Sequence, residues 1–146
     1  VTRFKPLTKC NVKTMPHPGF PTDMQPQMAV LLAIAKGTSI LSESVWDNRF
    51  QYVGQLLRMG ANIQVDGKIA VIEGVDHLTG VKVKATDLRA GAAMIIAGLV
   101  AQGQTVVEKT QYVDRGYENI VEKLSALGAD IRRVPADPSE TVANAG

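Results

Sequence analysis

Two stretches along the chain are apolar without a break, and the same polar signature precedes each. Met28, Val30, Leu31, Leu32 and Ile34 in the first, and Ala92, Met94, Ile95, Ile96, Leu99 and Val100 in the second, leave no polar face at helical spacing. That pattern predicts helices buried on all sides. Thr22 and Thr86 stand before them as helix caps. Thr22-x-x-Gln25 fits a capping box and leaves Asp23 in the first turn, where free amides and the helix dipole favour a carboxylate. The first helix is expected from Thr22 to Ala35, ending before Gly37.

Shorter elements fill the rest. Cys10 to Thr14 reads as a strand leading into a turn stiffened by Pro16, Pro18 and Pro21, each of which fixes its own φ and restricts its predecessor. Thr38 to Ser44 reads as a strand, and Asp47 as the cap of a surface helix carrying Phe50, Val53, Leu56 and Leu57 as far as Gly60. Asn62 to Val65 and Ile69 to Glu73 flank Asp66-Gly67, a hairpin signal. Val81 to Lys84 and Thr105 to Glu108 are strands. Asp114 is expected to cap a helix striped by Tyr117, Ile120, Val121, Leu124 and Leu127, with Asp130 to Val134 as a last strand.

These elements repeat. Thr22-Asp23 corresponds to Thr86-Asp87, Ala35-Lys36-Gly37-Thr38 to Ala101-Gln102-Gly103-Gln104, Arg49 to Arg115, and Met59-Gly60-Ala61 to Leu127-Gly128-Ala129. The spacings of 64, 66, 66 and 68 residues (86−22, 101−35, 115−49, 127−59) differ only slightly, as in an internal duplication. The expected fold class is α+β: two units of buried helix, strand, surface helix and strands, one over about 9–79 and the other over about 81–134. Both belong to one partial domain, 1–134. Two such units leave faces that a third would cover. Residues 135–146, with two prolines and few large apolar side chains, are expected to be disordered.

Composition narrows the classes. Sixteen Lys+Arg against fourteen Asp+Glu give +2 with 5 % aromatics, which points away from a nucleic-acid surface. At 146 residues the chain can bury a core. Cys10 is the only cysteine and His17 and His77 the only histidines, so neither an internal disulfide nor a zinc site is expected, and a reducing cytoplasm fits. The apolar runs are shorter than the roughly 18 residues of a membrane span. Val1 to Pro6 has no leading Met and opens no element, as in a piece of a longer chain.

Arg49, Arg89 and Arg115 are the candidates for binding an anion, since a guanidinium fork matches carboxylate and phosphate oxygens in pairs. Arg49 and Arg115 are each expected at a helix start, where the dipole opposes them. Solvated arginines, or partners for Asp47 and Asp114, are the plainer alternative. Asp87 could lock Arg89 in a structural pair. Trp46 could pack on a sugar or base, although a lone Trp is more often core. Asp23 could simply cap its helix. Neither a P-loop nor a G-x-G-x-x-G turn occurs.

Pro18-Gly19-Phe20-Pro21-Thr22-Asp23-Met24-Gln25, Asp47-Asn48-Arg49-Phe50, Ala85-Thr86-Asp87-Leu88-Arg89-Ala90 and Asp114-Arg115-Gly116-Tyr117-Glu118 closely resemble, in the same order, the UDP-N-acetylglucosamine enolpyruvyl (1-carboxyvinyl) transferases. The resemblance covers nearly the whole chain and roughly the last third of such an enzyme. It implies an inside-out α/β barrel domain built from three repeated units, of which two lie here. The implied reaction moves the enolpyruvyl group of phosphoenolpyruvate onto the 3′-hydroxyl of UDP-N-acetylglucosamine and releases phosphate, the first committed step of peptidoglycan synthesis. No metal or organic cofactor is implied.

By the same resemblance Asp23 is the general base at the sugar hydroxyl, Val45 contacts the nucleotide sugar through its backbone, and Trp46 is the aromatic beside it. Arg49, Asp87, Arg89 and Arg115 are polar residues of the cleft, with Arg115 placed to hold phosphoenolpyruvate. The family's mobile-loop cysteine, its Lys-Asn pair and its other-domain arginines have no counterpart here, and Cys10 is not that cysteine. The implied partners are the two substrates and the missing N-terminal part of the same enzyme, without which the piece is expected to be inactive. A sister enzyme, 3-phosphoshikimate 1-carboxyvinyltransferase, shares the chemistry but not the Pro-Gly-Phe-Pro-Thr-Asp stretch. A module that only binds a nucleotide sugar, and a structural repeat domain, remain as readings from other classes.

Overall fold

In the computed structural model, which describes residues 5–135, the first unit runs from β1 (Val12–Lys13) through a 3-10 turn (Thr22–Met24), α1 (Gln25–Ala33) and β2 (Thr38–Ser42) to α2 (Val53–Arg58), β3 (Asn62–Asp66) and β4 (Ile69–Glu73). The second runs through β5 (Lys82–Lys84), α3 (Leu88–Val100), β6 (Val106–Glu108), α4 (Gln111–Asp114) and α5 (Ile120–Ala126). Strands and helices alternate with antiparallel pairs, so the architecture is α+β. No helix among the described residues is long and apolar enough to cross a membrane.

The duplication is visible in backbone geometry. β1 and β2 lie parallel, joined by α1; β5 and β6 lie parallel, joined by α3. Gly37 and Gly103 both have positive φ just past their helices, and so do Gly60 and Gly128, a conformation that favours glycine. The first unit extends its sheet to the order β1-β2-β4-β3, whereas β5 and β6 form a sheet of two.

Helices α1 and α3 pack against each other in the middle. Small side chains at Ala29, Ala33, Ala90, Ala93 and Ala97, all buried, let the backbones approach. Leu32, Leu41, Leu56, Met59, Ile72, Leu78, Val83 and Met94 complete one core that spans both units. A smaller cluster of Ala85, Ile95 and Val113 lies beside it.

Several expectations change. The two apolar helices are not buried on all sides: Leu31 in α1 and Ile96, Leu99 and Val100 in α3 are about two-fifths exposed. Each helix is covered by its partner and its own strands, and nothing among the described residues covers the remaining side. Turn register at the hairpin is shifted by one residue: Asp66 pairs with Ile69, so Gly67 and Lys68 form the turn and only Gly67 has positive φ. The stripe on α5 is only partly covered, and Leu127 is 84 % exposed.

No strand forms at residues 130–134. Their counterpart β3 pairs only with β4, and among the described residues no strand takes the β4 position beside β6. A cleft of about 730 Å³ lies there instead, between α3, β6, α5 and residues 130–134. The tail expected at 135–146 lies, apart from Pro135, outside the described residues.

Candidate active site

The proline loop is pinned at both ends. Met15 N donates to Phe20 O (2.9 Å), Gly19 N donates to Pro16 O (2.9 Å), and the His17–Pro18 peptide is cis. A Cβ at Gly19 would overlap the Met15 Cβ, so the tight turn needs glycine. The loop delivers Thr22, Asp23 and Met24 as one 3-10 turn.

Thr22 does not cap α1, and the capping box is not made. Its hydroxyl turns inward and donates to Glu43 Oε1 (2.5 Å), while the Gln25 side chain is fully buried and accepts from the Tyr52 hydroxyl (2.5 Å). Glu43 Oε2 also accepts from the Thr14 hydroxyl (2.6 Å). Burial, and then the nearby Glu43 charge, push the Tyr52 phenol far above its ordinary range. This layer of Thr14, Glu43, Thr22, Tyr52 and Gln25 was not singled out among the candidate chemistry in the sequence. The available signal was strand alternation: Ser39, Leu41 and Glu43 all point inward.

With Thr22 turned in, Asp23 stays on the outside, its side chain 65 % exposed. Its carboxylate accepts from Arg89 Nε, in the first turn of α3. Asp87, and not Thr86, caps that helix, accepting from Arg89 N and Ala90 N at 2.9 Å each. Asp87 therefore fixes the Arg89 backbone and leaves its guanidinium free to reach the other unit.

Arg49 stands on the same wall. Its guanidinium lies 5.5 Å from the centre of the Trp46 ring, a cation–π geometry. Trp46 is 55 % exposed and so is not core. Val45, half-buried, precedes it. Asp47 caps nothing: it pairs with Lys68 (2.9 Å), whose hydrogen bond and charge lower its pKa, and α2 begins only at Val53. Thr22, Gln25, Arg49, Tyr52, Asp87 and Arg89 line a single cavity of about 20 Å³.

Arg115 is not among the residues lining that cavity. It is exposed and closes the C-terminal end of α4, so a helix dipole does not oppose it as expected. Asp114 lies within α4 and pairs with Arg133 (2.5 Å), so it does not cap α5, which starts after Asn119 in the left-handed region. The structure thus brings Asp23 to Arg89, and Arg89, Asp87 and Arg49 to one cavity with Trp46 alongside Arg49.

This geometry can be set beside known proteins. The family described as EPSP synthase (3-phosphoshikimate 1-carboxyvinyltransferase) matches residues 2–124. The chain belongs to this enolpyruvyl transferase family. Within it, the chain is 65 % identical over 131 residues to UDP-N-acetylglucosamine 1-carboxyvinyltransferase 1 of Clostridium perfringens, covering 90 % of this chain and 30 % of that protein. It is 54 % identical over 132 residues to UDP-N-acetylglucosamine 1-carboxyvinyltransferase of Desulfofundulus thermocisternus, covering 90 % and 54 %.

Among solved structures, the enolpyruvyl transferase NikO from Streptomyces tendae superposes with a TM-score of 0.83 at 36 % identity, over 92 % of this chain and 31 % of that one. An EPSP synthase from Acinetobacter baumannii shares the fold at 19 % identity and a TM-score of 0.54. The α+β fold is that of the enolpyruvyl transferases, and the chain spans 30 % of the length of the first of these curated relatives and 54 % of the second.

Proposed function

We propose that the chain is part of an enzyme that transfers the enolpyruvyl group of phosphoenolpyruvate to the 3′-hydroxyl of UDP-N-acetylglucosamine with release of phosphate. Such an enzyme supplies peptidoglycan synthesis in the cytoplasm, and with it cell-wall growth, cell shape and division. The observation that carries this reading is the joining of Asp23 to Arg89 across the two units, on the wall that also presents Arg49 and Trp46. Relatives at 54–65 % identity that carry the UDP-N-acetylglucosamine name favour this substrate over shikimate 3-phosphate.

Asp23 accepts the proton of the sugar hydroxyl as that oxygen adds to C2 of phosphoenolpyruvate, whose C3 takes a proton from an acid supplied by the remaining portion of the enzyme. Loss of the C3 proton and of phosphate from the tetrahedral adduct leaves the enol ether. Arg49, Arg89 and Arg115 pair with the carboxylate and phosphates, offsetting the charge of the adduct. The Val45 backbone and the Trp46 ring face the nucleotide sugar. Residues 1–134 form part of one domain, completed by the N-terminal portion of the same enzyme, and the piece alone does not turn over.

Phosphate release from the two substrates by the full-length enzyme carrying this chain tests the reading. Turnover that is lost in Asp23→Ala is expected; turnover with shikimate 3-phosphate in place of the nucleotide sugar would overturn it. Phosphate release by the isolated chain would refute its inactivity.

A further inference from the structure

Glu43 is 2 % exposed, and among the described residues no Lys or Arg pairs with it. Among the described residues its carboxylate is held by two threonine hydroxyls: Thr14 Oγ1 to Oε2, and Thr22 Oγ1 to Oε1 with a longer contact of 3.0 Å to Oε2. A carboxylate is among the costliest groups to bury, and an apolar side chain of similar volume would hold two strands together at least as well. Packing alone does not explain a glutamate here.

Its two partners suggest what does. Thr14 directly follows β1 and is where the chain leaves the sheet; Thr22 is where it comes back to open the 3-10 turn ahead of α1, next to Asp23. One carboxylate therefore clamps the entry and the exit of the proline loop. Prolines fix φ inside that loop, but they do not set where the loop sits on the body of the protein. The clamp does. Thr14 also accepts from Ser44 N (2.9 Å), and the Ser44 hydroxyl donates to Thr14 O, so the clamp is tied to the strand end that leads to Val45.

Turning Thr22 inward has a direct consequence for its neighbour. The turn is closed behind by Met24 N donating to Pro21 O (3.1 Å) and ahead by Gln25 N donating to Thr22 O. With both ends closed and Thr22 facing Glu43, the side chain of Asp23 is directed out toward Arg89.

We infer that Glu43 is a positioning residue: through the Thr22 hydroxyl it sets where the Asp23 carboxylate stands against the substrate hydroxyl. The inference rests on the role given to Asp23 above, and the test separates the two.

In the full-length enzyme, Thr22→Val is expected to lower kcat about 10–100-fold, the scale of a misplaced reacting group. KM for phosphoenolpyruvate should move less than about threefold, as for an interaction used in the transition state. Thr22→Ser, which keeps the hydroxyl, should restore kcat to within about threefold. Glu43→Leu, which leaves the Thr22 hydroxyl without its acceptor, should reproduce the kcat loss of Thr22→Val. Ile72→Val, in the core and outside the clamp, should lower Tm comparably and leave kcat within about threefold.

In an Asp23→Asn background, Thr22→Val should cost nothing further. Equal kcat losses in Thr22→Val and Ile72→Val, tracking their losses of Tm, would overturn the positioning role. So would a Thr22→Val loss that persists undiminished beside Asp23→Asn. A wild-type enzyme without phosphate release, or one indifferent to Asp23→Asn, would overturn the underlying reading instead.

Discussion

Arg89 donates its Nε–H to the carboxylate of Asp23, a residue 66 positions earlier in the chain and in the other structural unit. The pair lies on the surface, with side-chain exposures of 35 % for Arg89 and 65 % for Asp23. Solvent screening leaves such pairs worth little to folding. Arg89→Ala is therefore expected to lower the unfolding free energy of the chain by no more than about 1 kcal/mol in urea titrations. Turnover of the full-length enzyme should fall about 100-fold or more, because in the proposed reaction the guanidinium faces developing charge. A stability loss that accounts for the activity loss would assign the pair to structure.

Asp87 bonds two backbone amides of the first turn of α3, and Thr86 bonds none. Asp87→Ala should cost about 1 kcal/mol, Asp87→Asn only a few tenths, and Thr86→Ala less than about 0.5 kcal/mol. Urea midpoints of the three variants decide it, and a Thr86→Ala loss as large as that of Asp87→Ala would restore Thr86 as the cap.

Tyr52 combines burial with a nearby carboxylate, so its phenol holds its proton well above the ordinary value. In the unfolded chain it ionises near pH 10. The folded state favours the neutral form. That contribution is complete below the unfolded pKa and is lost as pH rises above it. Stability of the wild-type chain should begin to fall near pH 10, with a slope that Tyr52→Phe lacks. At neutral pH Tyr52→Phe should cost about 1–3 kcal/mol. It strips the hydrogen bond from Gln25 Oε1, beside an Nε2 already without a protein partner. Denaturant midpoints across pH 8.5–11 measure both effects.

Two helical glycines should respond oppositely to alanine. A Cβ at Gly54 meets nothing within 4 Å, so Gly54→Ala is expected to stabilise by about 0.5–1 kcal/mol through helix propensity. A Cβ at Gly91 would overlap Val113 Cγ2 and crowd Ala85, so Gly91→Ala should destabilise by about 1–3 kcal/mol despite the same propensity gain. Thermal unfolding of both variants would expose an error if the signs agree.

The elements that repeat were readable along the chain because their signals are local. Helical runs at Met28–Ile34 and Ala92–Val100, glycine stops at Gly37, Gly60, Gly103 and Gly128, and the alternating strands all express φ preference and side-chain period within a few residues. Caps were read less well. Thr22, Thr86, Asp47 and Asp114 each satisfy a cap rule, yet Asp87 caps α3 while Thr22 turns to Glu43, Asp47 to Lys68 and Asp114 to Arg133. A cap competes with any distant group that offers a better partner, and spacing carries no trace of that competitor.

The sequence alone determined the duplication, the two central helices, and the ordered motifs from Pro18 to Glu118 that resemble a transferase, since each of these is written in neighbouring residues. Only the tertiary structure decided which charges meet. Arg89 reaches Asp23 and not Asp87, Glu43 clamps Thr14 and Thr22, and Trp46 lies open beside Arg49. Those partners are brought together by the packing of α1 on α3 and by the pairing of β1 with β2. Contacts that close over 21 to 66 residues depend on that packing, and short-range preferences do not encode them.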